Sequence, residues 1–193
     1  AMTNWEQKIL DAVDARRDDI IDFVQKMVKI PSVTNDEVAI GNAFYEDMKA
    51  FGLDDVQMIE AEPGHPNIIA RVKGEAGGPS LVFNGHLDVI FEGPAEDWTY
   101  PPYSGEIVDG KMYGRGSVDM KGGTCGSVLA AWIIKELGLP LKGDVQLTVV
   151  CDEEICGDRG VLHLLKEGYI KKNHPDDMGI NCEPTTAYGR KRL

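Results

Sequence analysis

The sequence predicts an α/β fold, a mostly parallel mixed sheet sandwiched between helices. Three observations carry that expectation. The run VQLTVV at 145–150 is apolar apart from its Gln and Thr and mostly β-branched, as in a central strand covered on both faces. Helix-period segments of 8 to 16 residues alternate with such runs. Acid and imidazole residues gather where the predicted strands run out, the edge at which open α/β sheets bind ligands.

The elements follow in order. Thr3 or Asn4 can cap a helix running to about residue 28, with Ile9, Val13, Ile20, Phe23, Val24 and Met27 on one face and Pro31 as its stop. A second helix is expected over 36–51, ended by Gly52. Residues 56–59 and 67–72 read as strands, and a glycine-rich turn, GEAGGPS, leads to a third at 81–84. The stretch 92–116 is rich in Pro, Gly and aromatics and reads as a long ordered loop with a short hairpin near Ile107 and Met112. Residues 122–137 form a helix apolar nearly all round, hence buried. After strand 145–150 come a short helix at 160–167 and a further buried strand at 178–182.

Composition narrows the function. A chain of 193 residues is long enough for one well-cored domain. Its formal charge of −12 argues against nucleic acid, whose phosphates need a basic face. The longest apolar run, SVLAAWII, is too short to span a bilayer, so no membrane role is expected. Cys125, Cys151, Cys156 and Cys182 match no paired metal spacing and read as reduced thiols, which points to the cytoplasm.

Four clusters carry chemistry. They are His86 with Asp88 in NGHLDVI, Asp119 in GRGSVDMKGG, Glu153-Glu154 in VVCDEEICGD and Glu183 in INCEPT, spaced 29 to 34 residues apart. Alone, each has a plain structural alternative: a satisfied core histidine, a helix cap, a solvated strand end, a surface turn. GRGS also resembles the start of a dinucleotide fingerprint, but Asp119 stands where its third glycine belongs. On an extended segment His86 and Asp88 share a face, so Asp88 can fix the imidazole tautomer. Of two adjacent acids just past a strand, one can bind metal while the other serves as a base on water. Imidazole and carboxylate are ligands of catalytic zinc, so the set in order reads as a metal-assisted hydrolase. His65, His163 and His174 receive no role.

The full strings NGHLDVI, WTYPP, DGKMYGRGSVDMKGG, DEEICGDRG and NCEPT resemble the co-catalytic zinc hydrolases that include aminoacylase, acetylornithine deacetylase, succinyl-diaminopimelate desuccinylase, carboxypeptidase G and several dipeptidases. The resemblance spans nearly all of 19–185 and implies a zinc-exopeptidase-like catalytic domain. It implies two divalent ions, zinc first, with cobalt or manganese as alternatives. His86 and Glu183 would hold the first, Glu154 the second, and Asp119 both, through a cis Asp119–Met120 bond. Asp88 would steady His86 and Glu153 would be the general base. Glutamate at 183 resembles the deacylase branch, so an N-acyl amino acid is the expected substrate. A dipeptidase or carboxypeptidase is the alternative within the family, and an inactive metal-binding fragment or scaffold the alternative outside it. The family's second metal takes a further histidine beyond an inserted lid that also supplies the homodimer contact. Residues 2–187 are therefore expected to be the N-terminal part of the catalytic domain, inactive without the rest of the protein, and 188–193 the start of the connection to the lid.

Overall fold

In the computed structural model, residues 3–184 are described, so 185–193, and with them the expected connection at 188–193, lie outside the described residues. Helices α1 (Asn4–Ala15), α2 (Arg17–Val28) and α3 (Val38–Ala50) precede strands β1 (Asp54–Glu60), β2 (Pro66–Val72) and β3 (Leu81–His86). A hairpin, β4 (Glu106–Val108) and β5 (Lys111–Tyr113), leads to α4 (Lys121–Leu137). Then follow β6 (Val145–Val150), α5 (Val161–Lys166) and β7 (Met178–Asn181), with single 3-10 turns at Ala95–Asp97 and Glu153–Ile155.

The five-stranded sheet has the order β1-β2-β6-β3-β7. β2 pairs antiparallel with β1 and β6, whereas β3 pairs parallel with β6 and β7. The expected mixed sheet is thus present, and its parallel half carries three strand ends side by side. Alternation along the central strands divides the core. Ile68, Ala70, Leu147 and Val149 face α3 and α4 together with Phe44, Met48 and Val128, while Ile69 and Val150 meet Leu164 of α5 on the other face.

Three expectations are corrected. The helix expected from 4 to 28 breaks at Arg16, whose backbone leaves the helical region at φ −107° and ψ 17°. There Arg16 pairs with Glu136 and lies over Trp132 at 5.4 Å, so α1 and α2 can each turn a face toward α4. The capping box at Thr3 and Glu6 opens α1 as the sequence implies. The second helix begins at Val38, two residues later than expected, because the backbone turns at Asn35, held at φ 79°. Finally, β7 is exposed where a buried strand was expected. Among the described residues it is an edge strand hydrogen-bonded to β3 alone, and Met178 is 62% exposed.

The long loop is ordered by its aromatics. Trp98 Nε1 donates to the Glu92 carbonyl at 2.9 Å, Tyr103 donates to the Glu92 carboxylate at 3.1 Å, and Tyr100 packs on Tyr113 at 4.7 Å. Ile107 faces Met112 across the hairpin, whose turn residues Asp109 and Gly110 take φ of 50° and 73°. Among the described residues, no helix is long and apolar enough to cross a membrane.

Candidate metal centre

Neighbouring strands deliver most of the clustered side chains to one place. His86 is the last residue of β3, Glu153 and Glu154 open the turn after β6, and Glu183 follows β7 by two residues. Asp119 arrives separately, from the turn ahead of α4, and the Asp119–Met120 bond is cis. Close approach of α4 to β7 depends on Gly123, where a Cβ would stand 2.4 Å from the Cys182 carbonyl oxygen. Two residues after Asp119, Lys121 is buried and ties α4 to α2. Its ammonium donates to the Met27 and Ile30 carbonyls at 3.2 and 2.6 Å, at a helix end that favours a cation, although burial pushes it down to about 8.

The imidazole of His86, 1% exposed, is the hub. Its Nε2 lies 3.2 Å from Asp119 Oδ1, 3.5 Å from Glu183 Oε1 and 3.7 Å from Glu153 Oε2. Two overlapping groups have ligand atoms all within 4.8 Å of one another: His86, Glu153 and Glu183, and His86, Asp119 and Glu154. The acids are the open side, with Asp119 56% and Glu153 46% exposed.

Asp88 stands behind the hub. His86 Nδ1 is 2.8 Å from the Asp88 carbonyl, an acceptor, so Nδ1 carries the proton and Nε2 is the nitrogen turned to the cluster. The Asp88 carboxylate reaches Nδ1 only at 3.4 Å. Its closer partners are the backbone N–H groups of Glu153 and Glu154, both at 3.1 Å, and the Thr34 hydroxyl at 2.9 Å. Asp88 therefore orients the imidazole through its backbone and grips the Glu153-Glu154 turn through its side chain.

The electrostatics favour a cation. Burial opposes charge on His86, but the hydrogen bonds and charge of Asp88, followed by Glu183, raise the imidazole to about 9. Burial and then the neighbouring acids, Asp119 foremost, push the Glu154 and Glu183 carboxyls up, against the pull of His86. Asp88 runs the other way: burial is outweighed by its bonds to His86, Glu154 and Thr34, and its carboxyl sits below the usual range. Four crowded acids around one imidazole, all hard or borderline donors, suit divalent zinc, cobalt or manganese.

Beside the centre lies a cavity of about 640 Å³ lined by Asp119, Trp98, Lys111, Arg115 and Pro184 among others. Arg115 lies over the Trp98 ring at 5.2 Å, and its buried Nε has no hydrogen-bond partner among the described residues. Sequence reasoning missed Arg115, Thr34 and Arg159. Arg115 was legible as a cation inside the GRG-x-x-D string, but nothing local marked the other two. His65, given no role from sequence, joins Arg159 in a half-buried polar group behind the Glu153-Glu154 turn.

Comparison with known proteins places the chain in a family. The model of Peptidase family M20/M25/M40 matches residues 82–192. The chain is 38% identical over 147 residues to the succinyl-diaminopimelate desuccinylase of Methylorubrum extorquens, covering 74% of this chain and 38% of that protein. It is 34% identical over 152 residues to the desuccinylase of a Bradyrhizobium species, covering 77% of this chain and 39% of that protein. The chain thus spans about two fifths of the length of these relatives. Among solved structures, human carnosine dipeptidase 1 superposes with a TM-score of 0.74 at 21% identity, over 91% of this chain and 40% of that one, a likeness of fold.

Proposed function

The chain belongs to peptidase family M20/M25/M40, and from that premise we propose that it forms the hydrolytic half-site of a two-metal amidohydrolase acting on N-acyl amino acids. The supporting observation is the convergence of His86, Asp119, Glu153, Glu154 and Glu183 where β3, β6 and β7 end and α4 begins. Likeness to desuccinylases at 38% and 34% identity favours an acyl group over a peptide as the part removed.

In this reading His86, Asp119 and Glu183 would hold one ion, and Asp119 and Glu154 would contribute to the other. Zinc is the metal we assign, and when bound it supplies Lewis acidity to the carbonyl under attack. The second ion would take a further histidine from outside residues 1–193, with a lid that also pairs two subunits. The assigned setting is the cytoplasm.

The remaining steps belong to the chain. His86 is held in one tautomer by the Asp88 carbonyl, and the Glu153-Glu154 turn is held by the Asp88 carboxylate. Glu153, on the open side, takes a proton from the water that attacks the amide carbonyl. As the carbon–nitrogen bond breaks, Glu153 returns that proton to the leaving amine. Arg115, fixed over Trp98 in the adjoining cavity, pairs with a carboxylate on the substrate.

The test is an assay of amine release from N-succinyl and N-acetyl amino acids and from dipeptides, before and after chelation and after zinc or cobalt is restored. Chelator-sensitive cleavage of the acyl compounds, faster than of dipeptides, is expected. With the whole protein as the enzyme assayed, faster dipeptide cleavage would transfer the reading to the peptidase branch, and no cleavage of either would overturn it.

A further inference from the structure

The Glu153–Ile155 turn is bracketed by two non-glycine residues in the left-handed region, Asp152 at φ 68° and Cys156 at φ 91°. Such backbone persists where its surroundings over-determine it. From the metal side the turn is held by Asp88, as described above. From the far side the Arg159 side chain holds it. The Arg159 guanidinium donates to Asp152 Oδ1 at 2.5 Å, to Asn35 Oδ1 at 2.7 Å and to His65 Nε2 at 2.7 Å. The Arg159 backbone adds two bonds: its N–H donates to Asp152 Oδ2 at 3.1 Å, and its carbonyl accepts from Asn67 Nδ2 at 2.9 Å.

These contacts join three separate parts of the chain. Asn35 is next to Thr34, the residue that donates to Asp88, so the grips from the two sides share one loop. His65 belongs to the β1–β2 turn, and its position is backed in turn. An arginine can only donate, so Nε2 of His65 accepts and Nδ1 carries the proton. Nδ1 points toward Glu37 Oε2 at 3.7 Å. Glu37 is fully buried, and neither of its carboxylate oxygens has a hydrogen-bond partner among the described residues. A hydrogen-bonded series Asp152–Arg159–His65 thus runs behind the centre, with Glu37 beyond its far end and the 2%-exposed Asp152 at the end that touches the turn.

We propose that Arg159 is a positioning residue of the hydrolytic centre: by clamping Asp152 against Asn35 and His65 it aims Glu153 and Glu154. This rests on the roles assigned above to those two acids. The clamp needs a planar fork with several donors in fixed directions, which a lysine ammonium does not provide. A residue that only neutralised the buried Asp152 would need neither Asn35 nor His65.

The test compares Arg159→Met, Arg159→Lys and the double variant Asp152→Asn/Arg159→Met with wild type. The measurements are cobalt titration by visible absorption, kcat and KM on the best acyl substrate, and thermal melting. Loss of a residue that orients metal ligands typically costs about 10- to 100-fold in affinity or activity. Arg159→Met should lower kcat and cobalt affinity within that range and leave KM within about threefold, and Arg159→Lys should recover part of the loss. The double variant should regain melting temperature, because no lone buried acid remains, without regaining kcat or cobalt affinity. If it regains all three together, Arg159 only neutralises Asp152 and the proposal fails. It fails also if the Met variant, or the Lys variant where Met does not fold, matches wild type in kcat, cobalt affinity and spectrum. A wild-type protein that binds no cobalt would instead overturn the metal-centre reading, and this assignment with it.

Discussion

Asp177 and Glu183 flank the same edge strand, one just before β7 and one just after it, and their surroundings are opposite. Asp177 accepts three backbone N–H groups, from Ser80 at 2.7 Å, Asn173 at 2.7 Å and His174 at 2.8 Å. These donors hold its carboxyl below the usual range. At the same end of the sheet Asp144 accepts from the Gly74 N–H at 3.0 Å and pairs with Arg71 at 3.3 Å. No backbone N–H reaches Glu183 among the described residues. It faces His86 and the acids Asp119 and Glu153, and its carboxyl is pushed up, by burial first. At one end of the sheet Asp177 and Asp144 cap backbone, and at the other Asp119, Glu153, Glu154 and Glu183 face each other in front of Asp88. An acid without donors, set among other acids, is the stronger sign of a cation site.

The contrast breaks most visibly at Asp119, shared by both proposed ions. Asp119→Ala should abolish cobalt binding and cut hydrolysis by at least about a thousandfold, as expected when a metal site is lost, with an unchanged circular dichroism spectrum. Tight cobalt binding by this variant would take Asp119 out of the centre. Next in size is Glu153→Gln. It should lower kcat by roughly two to four orders of magnitude while cobalt and zinc content stay near wild type, because a lost base does not remove a ligand. A simultaneous loss of metal would recast Glu153 as a ligand, in keeping with its place beside His86 and Glu183.

Arg115→Met sharpens the contrast on the cation side. KM for N-acyl amino acids should rise by about tenfold, the effect of roughly 1.4 kcal/mol of lost binding. Amides without a carboxylate should be unaffected, and an equal rise for both would remove the carboxylate contact. The smallest effect belongs to the capping end. Asp177→Ala should lower the melting temperature and leave cobalt affinity and kcat unchanged. Its carboxyl is depressed in the folded state, so its stabilisation is complete above the unfolded value of about 4 and fades as pH falls through the lower folded value. The difference in melting temperature between wild type and variant should therefore shrink on acidification below about pH 4. A difference that stayed constant there would argue that the three N–H bonds do not depend on the ionised carboxylate.

Much of this was legible in the sequence. Strand β6, helix α4 and the hairpin opposing Ile107 to Met112 follow from local hydrophobic period and turn chemistry, which depend on near neighbours only. The clustered acids and His86 were legible as a set because their residue types name a chemistry and each cluster falls near a strand or helix boundary. The break at Arg16 was hidden, because it depends on Glu136 and Trp132, some 120 residues away in sequence. The exposure of β7 was hidden too, since an apolar strand does not announce how many neighbours it will have. Asp88 could be read as a partner of His86, but not as the acceptor for the Glu153 and Glu154 N–H groups 65 and 66 residues on. Arg159, amid an acidic run, gave no sign of reaching Asn35 and His65. Local pattern fixes which segments are strands and which side chains can carry charge. The order β2-β6-β3-β7 decides which donors meet which acids, because a hydrogen bond is made only within about 3 Å and chain folding alone brings such distant residues that close.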